Sequence, residues 1–94
     1  MDFKARAMFF YADGKEIHKD DTVAVASGKF GVVYGTVLDV FSPGTEGSRN
    51  YNCQETGGVL IEESEPKKAF GLLLAVPVHD TLSENYELLS RRVK

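Results

Sequence analysis

The amino-acid sequence predicts an all-β domain of five to six antiparallel strands with one long loop. Apolar and polar residues alternate with a period of two in several segments, which is the pattern of a half-buried strand. Glycine, proline, asparagine and aspartate recur between these segments as turn signals. Because 94 residues suffice for only one hydrophobic core, we expect residues 1–94 to form a single domain.

The first predicted strand covers residues 3–11, where apolar side chains occupy every second position. An Asp-Gly turn at 12–15 follows it, after which Val23 and Val25 resume the alternation. A hairpin or a tight reversal is therefore expected between these two segments.

The next predicted strand, residues 32–41, follows a turn at 27–29 and is rich in β-branched and aromatic residues. Val37 and Val40 lie three positions apart, which breaks the alternation and predicts a bulge or a strong bend. Bends of this kind turn a strand around the corner of a small barrel.

Residues 42–56 contain Pro43, two glycines and two asparagines but almost no aliphatic residue. They predict an irregular loop of about fifteen residues, which is long for a compact domain and suggests a function. Two further strands, 59–61 and 70–78, are expected to pair through a turn at 64–67.

Residues 80–93 admit two interpretations. Thr81 would cap a short helix, because apolar residues follow it at helical spacing. Asn85, however, is unfavourable in a helix interior, and residues 86–89 suit a strand. We favour a single turn followed by a closing strand that pairs with the amino-terminal strand.

The charge balance favours a protein partner over nucleic acid. Fourteen acidic and eleven basic side chains give a net charge of -3 and a pI near 5.3. Nucleic-acid binders usually carry a basic face that neutralises several phosphates. A mildly acidic surface is better suited to a basic protein.

We expect a cytoplasmic protein that does not enter a membrane. Charged residues interrupt the first eleven positions, which is atypical of a secretory signal peptide. The longest apolar run, residues 70–78, is about half the length that spans a bilayer. Cys53 is the only cysteine, so the chain cannot form an internal disulfide, as is usual in a reducing compartment.

Residues 21–25 and 31–40 resemble the opening hairpin of KOW-type and other SH3-like barrels. In those folds an Asp-x-Val-x-Val strand leads through a loop to Gly-x-x-Gly-x-Val, and here the glycines are one residue further apart. The resemblance implies a small SH3-like barrel. It also implies an alternative function, as a KOW-like accessory module that binds RNA or the transcription and translation machinery, although the acidic balance disfavours this.

The order of segments along the whole chain, "YADGKEI…DDTVAV…GTVLDVF…GGVLIE…GLLLAVP…YELLSRR", also resembles small bacterial immunity proteins encoded beside polymorphic toxins. Such proteins are acidic, cytoplasmic and single-domain, and they neutralise a toxin by covering its active site. The resemblance implies a protein partner, namely a toxin or effector domain.

The sequence predicts neither an enzyme nor a metal site, and no cofactor is expected. Cys53 would need an activating base to act as a nucleophile, and neither His18 nor His79 belongs to a recognisable catalytic signature. We interpret Cys53 as a loop or packing residue; a small enzyme remains the alternative if it or a histidine is reactive. Two groups, His18 with Asp20 and Asp21, and His79 with Asp80, lack metal-ligand spacing, and all five residues are interpreted as solvated turn residues.

The candidate partner-binding residues form two groups. The long loop combines a guanidinium, an aromatic ring and several amides, a composition typical of binding hot spots, although a merely polar loop is the alternative. These residues are Arg49, Asn50, Tyr51, Asn52, Gln54 and Glu55. An acidic cluster of Glu62, Glu63 and Glu65 would meet a basic partner or, alternatively, protect a strand edge from aggregation.

Overall fold

Residues 9–29, 31–64 and 71–91 are described by the computed structural model. Within them, five strands form one antiparallel sheet in the order β4-β3-β2-β1-β5. The strands are β1 (Thr22–Ser27), β2 (Gly31–Phe41), β3 (Gly58–Glu63), β4 (Leu72–Ala75) and β5 (Tyr86–Ser90), and a short helix, α1 (Glu46–Asn50), lies between β2 and β3. The all-β prediction is therefore confirmed.

Several sequence predictions match individual elements. The closing strand is present as β5, and the register of β2 shifts between Val37 and Asp39, where a bulge was expected. The segments at 59–61 and 70–78 pair as predicted through β3 and β4, although β4 covers only Leu72–Ala75 of the second segment. The predicted strand at 3–11 and the turn at 64–67 lie largely outside the described residues. Within the described chain β5 pairs with β1.

The long loop differs from its prediction, because it is not wholly irregular. Residues 46–50 form α1, and the side chain of Thr45 caps this helix by accepting a hydrogen bond from the Ser48 N–H at 3.2 Å. Five helical residues are too few for the 3.6-residue periodicity that would have revealed them in the sequence.

The described strands leave the sheet open, with β4 and β5 as its edges. β2 pairs with β1 along residues 31–36 and with β3 along residues 35–41, and the bulge lies within the second stretch. No ladder joins β4 to β5 in the described ranges, so closure into an SH3-like barrel stays a prediction.

One face of the sheet, here called the core face, carries the hydrophobic core. Antiparallel pairing places Val25 opposite Val33 and Val37 opposite Ile61, and all four side chains are buried. This face is packed against apolar side chains from irregular segments before β1 and before β5. They are Phe9, Tyr11, Ile17 and Leu82.

Backbone hydrogen bonds hold these irregular segments together as a layer over the core face. The predicted Asp-Gly turn is present, since Tyr11 N–H donates to Lys15 O at 2.8 Å. Leu82 N–H donates to Phe10 O at 2.9 Å and links the turn to the chain before β5. His79 and Asp80 form a two-residue turn with positive φ at both positions, and both are exposed, as expected.

Candidate functional site

The ring of Phe41, at the end of β2, anchors the long loop. The Tyr51 ring stacks on it with a centroid distance of 5.2 Å and an interplanar angle of 18°. On α1, a Cβ at Gly47 would lie only 2.5 Å from Phe41 Cδ1. Because no side chain fits between them, glycine at 47 lets α1 rest directly on the aromatic ring.

Hydrogen bonds within the loop fix its shape further. The buried Ser48 donates its hydroxyl to Thr45 O at 2.7 Å, and its own carbonyl accepts from Cys53 N–H at 2.8 Å. Gly44 N–H donates to Gln54 O at 2.9 Å, which closes the base of the loop. The loop is thus ordered by its own contacts before any partner binds.

The loop residues predicted to bind a partner all lie on the surface. Arg49 donates from Nη1 to Gly44 O at 3.2 Å, and the Tyr51 side chain stays 40% exposed although it stacks on Phe41. Residues 52–56 line a shallow depression of about 300 Å³. The structure therefore brings together, at one end of the sheet, the exposed set Arg49, Asn50, Tyr51, Asn52, Gln54 and Glu55.

Cys53 is also buried in this loop. A Cβ built on Gly58 would lie 3.0 Å from Cys53 Sγ and 2.9 Å from Leu74 Cδ1, so the thiol packs beside β3 and β4. This placement fits the packing role expected for Cys53, and it covers one end of the sheet face opposite the core face.

The acidic cluster does not form one surface. Glu62 and Glu63 are consecutive in β3 and therefore point to opposite faces of the sheet. Glu62 is exposed, whereas Glu63 is buried on the core face and accepts a hydrogen bond from Gly71 N–H at 3.0 Å. The interpretation of Glu63 as a surface contact is corrected for this reason, and Glu65 lies outside the described residues.

A buried polar network that the sequence did not predict is centred on Asp21. Asp21 is fully buried, and its Oδ2 accepts the Tyr11 hydroxyl at 2.6 Å and the His18 N–H at 2.9 Å. Arg91 donates from Nε to Oδ1 at 2.9 Å and from Nη2 to Oδ2 at 3.1 Å. Arg91 also donates to the backbone carbonyl of Glu16.

The network shifts the protonation equilibria of its members. Burial by itself would raise the pKa of Asp21, but hydrogen bonds from Arg91, Tyr11 and His18 outweigh it, so the pKa lies below its ordinary value. Burial and the hydrogen bond to Asp21 raise the pKa of the Tyr11 hydroxyl. Asp21 therefore stays charged at neutral pH and Tyr11 stays protonated.

Asp21 is thus a structural residue, and its interpretation as a solvated turn residue is wrong. An aspartate just before a strand is typical of a turn. Its burial depends on Arg91, 70 positions later in the chain, which neutralises the carboxylate. No local pattern in the sequence signals this pairing. Asp20 and His18, by contrast, are exposed as expected.

The described residues include no group of three or more histidine, cysteine or carboxylate side chains placed to hold a metal ion. In the same part of the chain, no helix has the length and apolar character needed to cross a membrane. Comparison with known proteins gave no matching family, no matching curated protein and no matching solved structure.

Proposed function

We propose that this protein is a cytoplasmic immunity protein that binds a bacterial toxin domain and neutralises it by occluding its active site. The observation that carries the proposal is the ordered loop at 42–56, which presents an aromatic ring, a guanidinium and several amides to solvent. Such side chains dominate the binding energy of protein interfaces.

The internal order of the loop favours tight binding. A flexible loop loses conformational entropy when a partner fixes it, and this loss is subtracted from the affinity. Here the stack of Tyr51 on Phe41 and the closure between Gly44 and Gln54 fix the loop in the free protein. Most of the ordering cost is therefore met during folding, and contacts of the loop contribute more fully to affinity.

The sheet topology supports an SH3-like fold for the proposed immunity protein. β2 is the longest strand; it pairs with β1 along residues 31–36 and with β3 along residues 35–41, and its register shifts within the second stretch. A bulge increases local twist and bends a strand, which lets a sheet curl toward a barrel. The proposed fold is a small SH3-like barrel with the 42–56 loop at one end.

The experiment is a calorimetric titration against the toxin domain encoded beside this gene. We expect the double variant Arg49→Ala, Tyr51→Ala to bind at least about 2 kcal/mol more weakly, because both side chains become desolvated in the complex. The matched control is Lys19→Ala, in an exposed turn outside the loop, which also removes a positive charge and should leave affinity unchanged.

A thermal melt of each variant accompanies the titration, because removal of Tyr51 also removes its stack on Phe41. Unchanged affinity of the double variant would remove the loop from the interface. Absence of binding by the wild-type protein would refute the immunity function, and salt-dependent RNA binding in its place would support the KOW-like alternative.

A further inference from the structure

The face of the sheet opposite the core face, here called the open face, carries exposed side chains on β2, β4 and β5, whereas Ala24 on β1 is buried. Residues that alternate with the core positions point to it. Tyr34 is 53% exposed, Val32 47% and Leu72 53%, although each lies within a strand. Large apolar side chains exposed together in this way commonly mark an interaction site.

Strand register shows which residues surround these three. One cross-strand row contains Tyr34, Ala24 and Glu87, because Ala24 pairs with both of the others. A second row runs from Leu72 through Glu62 and Thr36 to Thr22. We call this surface the Tyr34 patch, and it comprises Val32, Tyr34, Thr36, Glu62, Leu72 and Glu87, with the buried Ala24 between Tyr34 and Glu87.

The patch is distinct from the loop that carries the proposed function. Tyr34 and Phe41 are seven positions apart on β2, or about 23 Å along an extended strand. At the Phe41 end the open face is closed, since Leu60 is buried there, pairs with Leu74 and lies near the packed Cys53. The exposed patch therefore begins where the packing of the loop ends.

The charged residues of the patch, as far as the structure describes them, are both acidic. Glu62 lies between Leu72 and Thr36, and Glu87 lies beyond Ala24. Both carboxylates are exposed, and neither has an ion-pair partner in the described chain. Three strand spacings separate β3 from β5, which places the two carboxylates about 14 Å apart across the sheet.

We propose that the Tyr34 patch docks a basic protein surface, in which lysine or arginine side chains flank an apolar contact with Tyr34. The inference rests on the proposed function and names the chemistry of the partner: a toxin domain whose positive surface serves an anionic substrate. Glu62 and Glu87 attract the flanking cations, while Tyr34, Val32 and Leu72 supply the area that is removed from water.

The same charges argue against other occupants. A second copy of the chain, docked by a two-fold axis, would bring the carboxylates of one patch toward those of the other. RNA would place phosphates against them, and anionic lipid would do the same. Each of these arrangements brings like charges together at low solvent exposure, which is destabilising.

The test uses defined peptides and nuclear magnetic resonance of the isotope-labelled full chain. One peptide alternates arginine with leucine, and its analogue carries glutamate in place of arginine. We expect the basic peptide to shift the amide signals of Val32, Tyr34, Glu62 and Glu87 in a saturable way, and the acidic analogue to shift none of them. Added salt should weaken the effect, because these charges are exposed.

Two variants sharpen the assignment. Tyr34→Thr should weaken peptide binding at least about fivefold, as loss of an interface anchor does, and Glu62→Gln with Glu87→Gln about threefold to tenfold. The control Glu84→Gln removes an equivalent exposed carboxylate just before β5 and outside the patch, and it should change nothing.

Each outcome decides one of the two proposals. Shifts confined to residues 49–55, or no shift with the basic peptide, would overturn the docking role of the patch while the calorimetric test of the loop stands unaffected. Saturable binding of the basic peptide at the patch without any affinity for the neighbouring toxin would support the docking role of the patch and refute the immunity function. Concentration-dependent signals in the protein alone would assign the patch to a second copy instead.

Discussion

The two faces of the sheet differ sharply although consecutive residues supply them. Val33 is 3% exposed and Tyr34 is 53% exposed, yet they are neighbours in β2. Segments 9–17 and 78–82 cover the core face, whereas on the open face the described residues pack beside the long loop and leave Tyr34 exposed. Alternation in a strand separates two faces, but other parts of the chain decide which of them becomes buried.

The covering layer depends on polar contacts as much as on apolar ones. Asp21, Tyr11 and Arg91 connect the turn before β1 with the chain after β5, and backbone donors complete the network. The open face has no comparable layer among the described residues, so its side chains stay available for a partner. Four predictions follow from this contrast, and three of them compare a residue that builds the core side with a matched residue that does not.

The largest effect is expected from Asp21→Asn. An asparagine keeps acceptors for Tyr11 and His18 but leaves Arg91 without its carboxylate, so we expect a loss of about 3 kcal/mol in the free energy of unfolding. Asp20→Asn, in the exposed neighbouring position, is the control and should change stability by less than about 0.5 kcal/mol. Urea denaturation of both variants measures the difference.

The wild-type protein and Asp21→Asn should also differ in how their stability depends on pH. Because the folded pKa of Asp21 is lowered, its contribution is present above the unfolded pKa of about 3.9 and is lost as the pH falls through the folded pKa. Wild-type stability should therefore fall more steeply below about pH 4 than that of Asp21→Asn, and the two curves should converge. Parallel curves would show that the carboxylate contributes nothing as a charge.

A smaller effect, about 2 kcal/mol, is expected from Gly35→Ala on the core face. A Cβ at position 35 would lie 2.7 Å from Ile61 Cγ2 and 2.7 Å from Glu62 O, so β2 and β3 would have to separate locally. Gly28→Ala is the matched change, because nothing lies within 4 Å of its added Cβ. Equal melting temperatures for the two variants would contradict the tight packing described here.

The smallest effects on stability are expected when threonine replaces each of two adjacent residues that lie on opposite faces of the sheet. Val33→Thr places a hydroxyl in the buried core and should cost about 1.5 kcal/mol, whereas Tyr34→Thr keeps a good strand former on the open face and should cost less than about 0.5 kcal/mol. Denaturant unfolding measures both. A large loss for Tyr34→Thr would mean that Tyr34 stabilises the fold, and its exposure would then need another explanation.

Local patterns in the sequence determined the strands and their turns. Alternation located β1 and β2, the Val37–Val40 spacing located the bulge, and Asp-Gly located the turn before β1. These features are set within a few residues by backbone geometry and side-chain direction. The exposure of the loop residues around Arg49 and Tyr51 was predictable for the same reason, because a polar segment without aliphatic residues has little to bury.

Tertiary structure alone decided which charged and aromatic side chains are available. Asp21 and Glu63 resemble their exposed neighbours Asp20 and Glu62 in the sequence, yet Arg91 and Gly71 supply partners that permit burial. Burial of a charge depends on a partner brought from a distant part of the chain, and chain folding places that partner. The open face around Tyr34 has the same origin, because its exposure depends on where covering segments end and not on its own alternating pattern.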